Sequence, residues 1–211
     1  MKWLGKPQQK AQVTRENLVA AGLQIFAEYG YSGATLEQVP QRAGVSRGAI
    51  SWHFKSKNDL LEEVLNGCVL ALENFLQGGA GFEEGMEQLR SAMGATFGNQ
   101  SCRQLCEIMV QKSERIDENC LISLRLHRVQ KHFYEQLNTL LGYAVIEGDL
   151  GSEFDVPAAS QLLQVCFTGL IFECLRQPSQ VSRHLASTLN VLCMMVRNPP
   201  YGWARPAPSK C

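Results

Sequence analysis

The sequence predicts an all-α protein of about nine helices, arranged as a short N-terminal three-helix domain and a larger C-terminal helical domain. Three observations predict it. There is no sustained apolar–polar alternation, and no Asn-Gly or Asp-Gly turn joins two β-branched runs, so strands have no support. Apolar residues instead recur at three- and four-residue intervals along almost the whole chain. Gly, Pro and Ser or Asp punctuate these runs where helix ends are needed.

Each element has its own signal. Leu18, Ala21, Ile25, Phe26 and Tyr29 share the face of a first helix, with Thr14 the expected N-cap and Gly30 the stop. A second, short helix is expected from Thr35 to Ala43, ended by Gly44, and a third from Ser46 to about Phe54. Ser56 caps a longer fourth helix, with Asp59 in the capping-box position and Leu60, Leu61, Val64, Leu65, Cys68, Leu72 and Phe75 as its apolar stripe. The run Gln77-Gly78-Gly79-Ala80-Gly81 reads as a joint. Phe82, Met86, Leu89, Met93 and Phe97 then mark a fifth helix, and Cys102 to Lys112 a sixth. The seventh holds register from Leu126 through Val145 and stops at Gly148. The eighth opens at Asp155 or Val156 with Pro157 in its first turn and ends at Arg176-Gln177-Pro178. The ninth spans Gln180 to Val196, and Asn198-Pro199-Pro200 closes the fold. Domains are accordingly expected at 1–56 and 57–198, with an irregular tail at 199–211.

Composition narrows the function. Apolar residues make up 45% and charged residues 19% of 211, the profile of a folded globular chain rather than a disordered one. No apolar run follows the first charges, so no secretory signal is expected. Gln164, Thr168 and Glu173 interrupt the apolar stretch Leu162–Leu175, so no membrane span is expected there. Of the eight cysteines, most lie at helical spacing among apolar neighbours, as reduced thiols do in a cytoplasmic protein. Net charge is zero, yet residues 1–60 hold eight Lys or Arg against four Asp or Glu. Such segregation suits a module that meets phosphates, attached to a body that does not.

The stretch Thr35 to Phe54 gives that module a form: short helix, glycine turn, short helix. Gly44 permits the left-handed turn. Val45, Ala49 and Ile50 face inward to set the interhelical angle. Ser46, Arg47, Gly48 and Ser51 then project from the start of the second helix, where a recognition helix meets base edges. Arg47 suits a bidentate guanine contact, and Gly48 allows close approach to the groove. Trp52, His53, Lys55 and Lys57 follow as a phosphate-facing group, aided by the amides that open the next helix.

Those residues, with Thr14-Arg15, Phe26-Ala27-Glu28-Tyr29-Gly30-Tyr31 and Lys55-Ser56-Lys57-Asn58-Asp59-Leu60, strongly resemble the DNA-binding domain of TetR-family transcriptional regulators. The resemblance implies a bacterial dimeric repressor that contacts a palindromic operator through Thr14, Arg15, Thr35, Ser46, Arg47, Gly48, Ser51, Trp52, His53, Lys55 and Lys57. It departs from the family at two places. Ser51 stands where most members have a phosphate-touching tyrosine. Pro40 stands where alanine is usual, and is expected to kink or shorten its helix.

A looser resemblance, through Cys106 to Lys112, the seventh helix and Phe167 to Ile171, is to the AcrR-like repressors of multidrug efflux. It implies an apolar or aromatic small-molecule effector and no cofactor or metal. Carried across residue by residue, the effector positions are Cys68, Leu72, Cys106, Val110, Gln130, Phe133, Phe167, Thr168 and Ile171. The ligand would act on the fourth helix as a lever. The eighth helix is apolar nearly all round, so one of its faces needs a partner. With Leu185, Leu189, Leu192, Met195 and Val196 of the ninth, it is expected to form a two-fold dimer interface.

Two rival readings follow from other residues. Cys102 and Cys106 lie one helical turn apart, and Cys120 follows a loop bearing Arg115, which would suit a thiol switch in place of a ligand pocket. Cys106, His127 and His132 share no zinc spacing. An enzyme is disfavoured: His53, His127, His132 and His184 are scattered, with no nucleophile elbow, P-loop or dinucleotide fingerprint.

Overall fold

The computed structural model describes residues 6–112 and 120–198; the segment bearing Arg115, expected to be a loop, and residues 199–211, expected to be irregular, lie outside the described residues. Among the described residues the chain is helical and without strands, as predicted. The helices are α1 (Lys6–Gly33), α2 (Gln38–Ala43), α3 (Ala49–His53), α4 (Lys57–Asn66), α5 (Phe82–Gly98), α6 (Gln100–Val110), α7 (Leu121–Ile146), α8 (Val156–Arg176) and α9 (Val181–Arg197). Short 3₁₀ turns occupy Ala71–Asn74 and Pro178–Gln180. Two compact units emerge. One combines the chain up to Val69 with Gln100–Leu126, and the other combines Leu70–Asn99 with the chain from His127 onward.

In the first unit α1 is the spine, touching α2, α3, α4 and α6. Its apolar face buries Leu18, Ile25 and Phe26. Thr14 proves to lie inside the helix rather than to cap it, because the helix begins earlier. Its hydroxyl donates to the Lys10 carbonyl at 3.0 Å. The helical path breaks at Gly30, where φ is 73°, a left-handed value that glycine takes without strain.

The helix-turn-helix is tighter than its sequence predicts. A turn at Thr35–Glu37 precedes α2, so the helix starts at Gln38 rather than Thr35. Pro40 therefore falls in the first helical turn, where a missing N–H breaks no bond; it is buried in the core, and α2 is shorter than the predicted Thr35–Ala43, one of the two outcomes expected of this proline. Gly44 caps α2 at φ 67°, as expected. Residues 46–48 form a turn closed by the Ala49 amide on the Ser46 carbonyl (2.9 Å), so α3 begins three residues later than predicted.

α4 has the predicted N-cap at Ser56, although the Asp59 carboxylate accepts from the Lys55 amide (3.0 Å), one residue before the cap, in place of the box's usual bond. The Ser56 hydroxyl accepts from the Asp59 amide at 3.1 Å and donates to the Asp59 carboxylate at 2.8 Å. It ends at Asn66, however, and does not run on to Phe75. The physical reason is Arg125 of α7. This side chain is 5% exposed, and its guanidinium donates to the carbonyls of Leu65 (3.0 Å) and Cys68 (3.3 Å), which an uninterrupted helix would have used itself.

In the second unit the chain after the break is tied down by side chains. The Leu70 amide donates to the Glu73 carboxylate at 2.8 Å. Gln136 of α7 donates to the Leu72 and Glu73 carbonyls and accepts from the Leu76 amide. At Gly85 of α5 the Leu140 side chain of α7 occupies the space that a Cβ would take, so the glycine makes room for it. α8 opens on the Asp155 carboxylate, which accepts from the Ala158 amide at 3.1 Å, with Pro157 in its first turn as predicted.

By length and composition α8 is apolar enough to cross a membrane. Here Leu163, Phe167, Leu170, Cys174 and Leu175 are buried, and the helix packs along α9. α9 in turn buries Leu185, Leu189, Leu192 and Val196 against its own unit. Those four cannot also face a partner, which corrects their expected place in a dimer interface. The exposed apolar residues are Leu162, Val165 and Phe172 on α8, and Val191 and Met194 on α9.

Candidate nucleic-acid interface

The surface at α2 and α3 is built in two tiers: side chains that hold the module together and side chains left to face outward. Val39, Pro40, Ile50 and Phe54 are buried, and Val45 and Ala49 are half-buried. Glu28 of α1 accepts from Arg42 of α2 at 2.8 Å. The Tyr29 hydroxyl and then Arg42 hold the Glu28 carboxyl below its ordinary range. Glu37 is likewise lowered, by its own backbone amide and by the Thr35 hydroxyl. These contacts set the angle at which α3 is presented.

The outward tier is Ser46, Arg47, Gly48, Ser51, Trp52 and Lys55, all exposed. Trp52 is 90% exposed, a large apolar surface beside two cations. The Arg47 guanidinium makes no hydrogen bond or ion pair among the described residues. A cleft of about 750 Å³ runs beside it, lined by Glu37, Pro40, Gln41, Ser51, Phe54 and Lys55 among others. Ser51, with so short a side chain, leaves that cleft open.

The remaining sequence-predicted contacts have other work in this structure. Arg15 donates to Glu63 at 2.7 Å and lies 5.0 Å over the Phe54 ring, joining α1, α3 and α4. The Lys57 ammonium donates to the carbonyls of Tyr31 (2.8 Å) and Ala34 (3.0 Å) and sits 4.3 Å over the Tyr31 ring. It caps the end of α1. The Tyr31 hydroxyl in turn pairs with Asn58. Thr14 is half-buried, Thr35 exposed, and His53 half-buried with its ring tilted against Phe54. Sequence reasoning placed Tyr31 and Phe54 in the motif but gave them no scaffold role, and it missed Glu63 and Arg125 altogether. Only Arg125 carries a signal, a lone cation between Leu124 and Leu126.

The nine residues expected to meet a ligand divide between the units. Cys68, Cys106 and Val110 belong to the first, and Leu72, Gln130, Phe133, Phe167, Thr168 and Ile171 to the second. Within the second, Phe133 and Phe167 meet edge to face at 5.3 Å, and Phe75 lies 5.6 Å from Phe133. Gln130 and Thr168 instead line a groove of about 550 Å³ between α7 and α8, with His127, Lys131, Tyr134 and Gln164. Leu72 is buried and Ile171 half-buried.

Comparison with known proteins agrees with this geometry. Residues 18–64 match the family described as bacterial regulatory proteins, tetR family. The transcriptional regulator SrpR of Pseudomonas putida is 30% identical over 191 residues, covering 90% of this chain and 89% of its own. AcrR of Shigella flexneri is 26% identical over 208 residues, 92% of this chain and 97% of its own. Among solved structures, NalD of Pseudomonas aeruginosa, the secondary repressor of the MexAB-OprM multidrug efflux pump, aligns with a TM-score of 0.68 at 25% identity, covering 86% of this chain and 96% of that one. Motif, fold and full-length similarity converge: the chain belongs to the TetR family, as a transcriptional repressor related to the regulators of multidrug efflux.

Proposed function

We propose that this repressor acts as a homodimer on a palindromic operator and is released by a small apolar or aromatic effector, in control of a multidrug efflux operon. The observation that carries the DNA contact is the outward tier of α3: Arg47 exposed and unpaired, with Gly48 and Ser51 beside it and Lys55 close by. Arg47 would read a base edge, while Lys55 and Trp52 follow the backbone. Lys57, whose ammonium already serves two carbonyls, would meet a phosphate only with its remaining donor.

Two recognition helices must lie about 34 Å apart to read a palindrome, which requires a dimer. The stripe Leu162, Val165 and Phe172 on α8, with Val191 and Met194 on α9, supports an interface there. The effector reading rests on the relationship to AcrR and NalD and on the aromatic cluster Phe75–Phe133–Phe167. It works by population shift, the ligand favouring a form that does not fit the operator. Such a protein functions in the cytoplasm, where its DNA is.

Selection of bound DNA from a random pool tests the first half. A two-fold symmetric consensus is expected for the native chain and none for Arg47→Ala. The second half is tested by gel shifts on the selected operator with and without pump substrates. Unchanged affinity with a compound demonstrably bound would sink effector control. Val165→Glu is expected to convert the dimer to monomer in sedimentation.

A further inference from the structure

Two thiols outside the DNA-contacting surface stand unusually close. The Cys68 and Cys102 sulfurs are 3.0 Å apart, though 34 residues separate them. That is about 1 Å longer than a disulfide bond and inside ordinary contact distance. Cys68 follows Gly67 just past the end of α4, and Cys102 lies in the first turn of α6. Their surroundings differ. Cys102 is 8% exposed, whereas Cys68 is half-buried and lines an open cleft of about 340 Å³ with Gln12, Glu16, Val19, Gly67 and Ser101. One thiol is reachable by a small reagent, and the other waits behind it.

We propose that Cys68 and Cys102 form an oxidisable dithiol, closed to a disulfide by hydroperoxides, and that closure weakens the hold on operator DNA. In the first step the Cys68 sulfur attacks the peroxide O–O bond. That bond breaks, the sulfur keeps one oxygen as a sulfenic acid, and the alcohol leaves with the thiol proton. In the second step the Cys102 sulfur attacks the sulfenic sulfur. The S–S bond forms, the S–O bond breaks, and water leaves with the second thiol proton. Two thiols are oxidised by two electrons, and one hydroperoxide is reduced to an alcohol and water.

The consequence for DNA follows from where the pair sits. Both cysteines lie in the unit that carries α2 and α3. Drawing the sulfurs together moves the end of α4 against α6. The Cys68 carbonyl is one of the two that Arg125 holds, so this movement strains that anchor. α4 begins at Lys57, the cation that caps α1 beside the recognition surface. The pair differs from the Cys102, Cys106 and Cys120 set that sequence alone suggests, because the spatial partner of Cys102 is Cys68.

The test uses the full chain. After treatment with equimolar hydrogen peroxide and alkylation, peptide mapping is expected to show a Cys68–Cys102 linked pair, with a mass loss of two hydrogens. Operator affinity is expected to fall about tenfold, within the range of ordinary allosteric couplings, and to return with dithiothreitol. Cys68→Ser and Cys102→Ser should each remove both effects, while Cys106→Ser should keep them. A link from Cys102 to Cys106 or Cys120, or no link, overturns the proposal, as does a linked pair with unchanged affinity. The mapping needs no DNA. Reduced protein that selects no operator therefore counts against the DNA reading and leaves the dithiol chemistry to be judged separately.

Discussion

The two units of this chain hold themselves together by different means. In the first, charged side chains make long-range internal contacts: Arg15 with Glu63 and Phe54, Lys57 with two carbonyls of α1, Arg42 with Glu28, and Arg125 with the end of α4. In the second, the long-range charged contacts, Arg197 with Glu83 and Arg90 with the Asn190 amide, lie at its surface, while the centre is aromatic and aliphatic, with Phe133 and Phe167 edge to face, Phe75 tilted against Phe133 and Gln136 pinning the turn beside them. A directional network must place few groups at fixed angles, so it tolerates few substitutions. Apolar packing asks mainly for volume and pattern, so many sequences satisfy it. Cys174 and Cys193 of the second unit are pushed above their ordinary range by burial, Cys174 to about 11, and such thiols are poor nucleophiles.

The largest effects should come from breaking the two scaffolds at their centres. Phe167 is 1% exposed and touches Phe133 edge to face. Phe167→Ala is expected to cost about 3–5 kcal/mol in urea unfolding followed by circular dichroism. A cost below about 1 kcal/mol would mean that the aromatic cluster is not the centre of its unit. In the other scaffold, Arg125→Ala strips charged donors from two carbonyls and should cost about 2–3 kcal/mol. Arg125→Lys should recover only part of this, because one ammonium lacks the guanidinium's fixed fork.

This contrast also explains what the sequence revealed. The first module was legible almost residue by residue. Gly30 breaks the first helical path and Gly44 sits at left-handed φ as anticipated, Ser56 caps α4 with its hydroxyl on the Asp59 amide, and Arg47 and Ser51 are exposed. Helix ends in this region were less legible, since Thr14 and Ser46 are good caps by type but neither begins a helix. The early end of α4 was invisible because its apolar period continues unbroken into Leu72 and Phe75 while the backbone does not. What ends it is Arg125, sixty residues from the Leu65 carbonyl it holds. Pro40 was legible in part: a shortened α2 was expected and is found, but the cost of a proline depends on its position in the helix, and that position rests on where α2 begins. On α9 the pattern identified an apolar face correctly, but periodicity cannot tell whether such a face meets its own unit or another chain.

Within the first unit the two tiers should separate under mutation. Arg47→Ala is expected to weaken operator binding by about 1–3 kcal/mol and to relax specificity at one base position. Its melting temperature should not change, because Arg47 holds nothing in place. Arg15→Ala should behave in the opposite way, lowering the melting temperature through the lost Glu63 and Phe54 contacts. Fluorescence anisotropy on the selected operator, beside thermal melts of both variants, checks the pair. Loss of stability in Arg47→Ala would erase the distinction between the tiers.

The smallest effect compares the helix caps of the two units. Ser56 at α4 and Asp155 at α8 each accept a backbone amide, so Ser56→Ala and Asp155→Ala should each cost about 1 kcal/mol. The α4 cap has an additional pH signature. The Ser56 hydroxyl, and after it the Lys55 amide, hold the Asp59 carboxyl below the ordinary aspartate range. Its stabilisation is therefore complete above the unfolded-state value, near pH 4. It fades as pH falls through the lower native value, where the folded carboxyl takes up its proton. In Ser56→Ala the main donor is gone while the Lys55 amide remains at 3.0 Å. The Asp59 titration should then move up only part of the way toward its ordinary value. Carboxyl-detected NMR between about pH 5 and pH 2 would follow this directly. An unmoved titration would show that the backbone amide alone sets the charge at this cap, a few residues after the exposed end of α3.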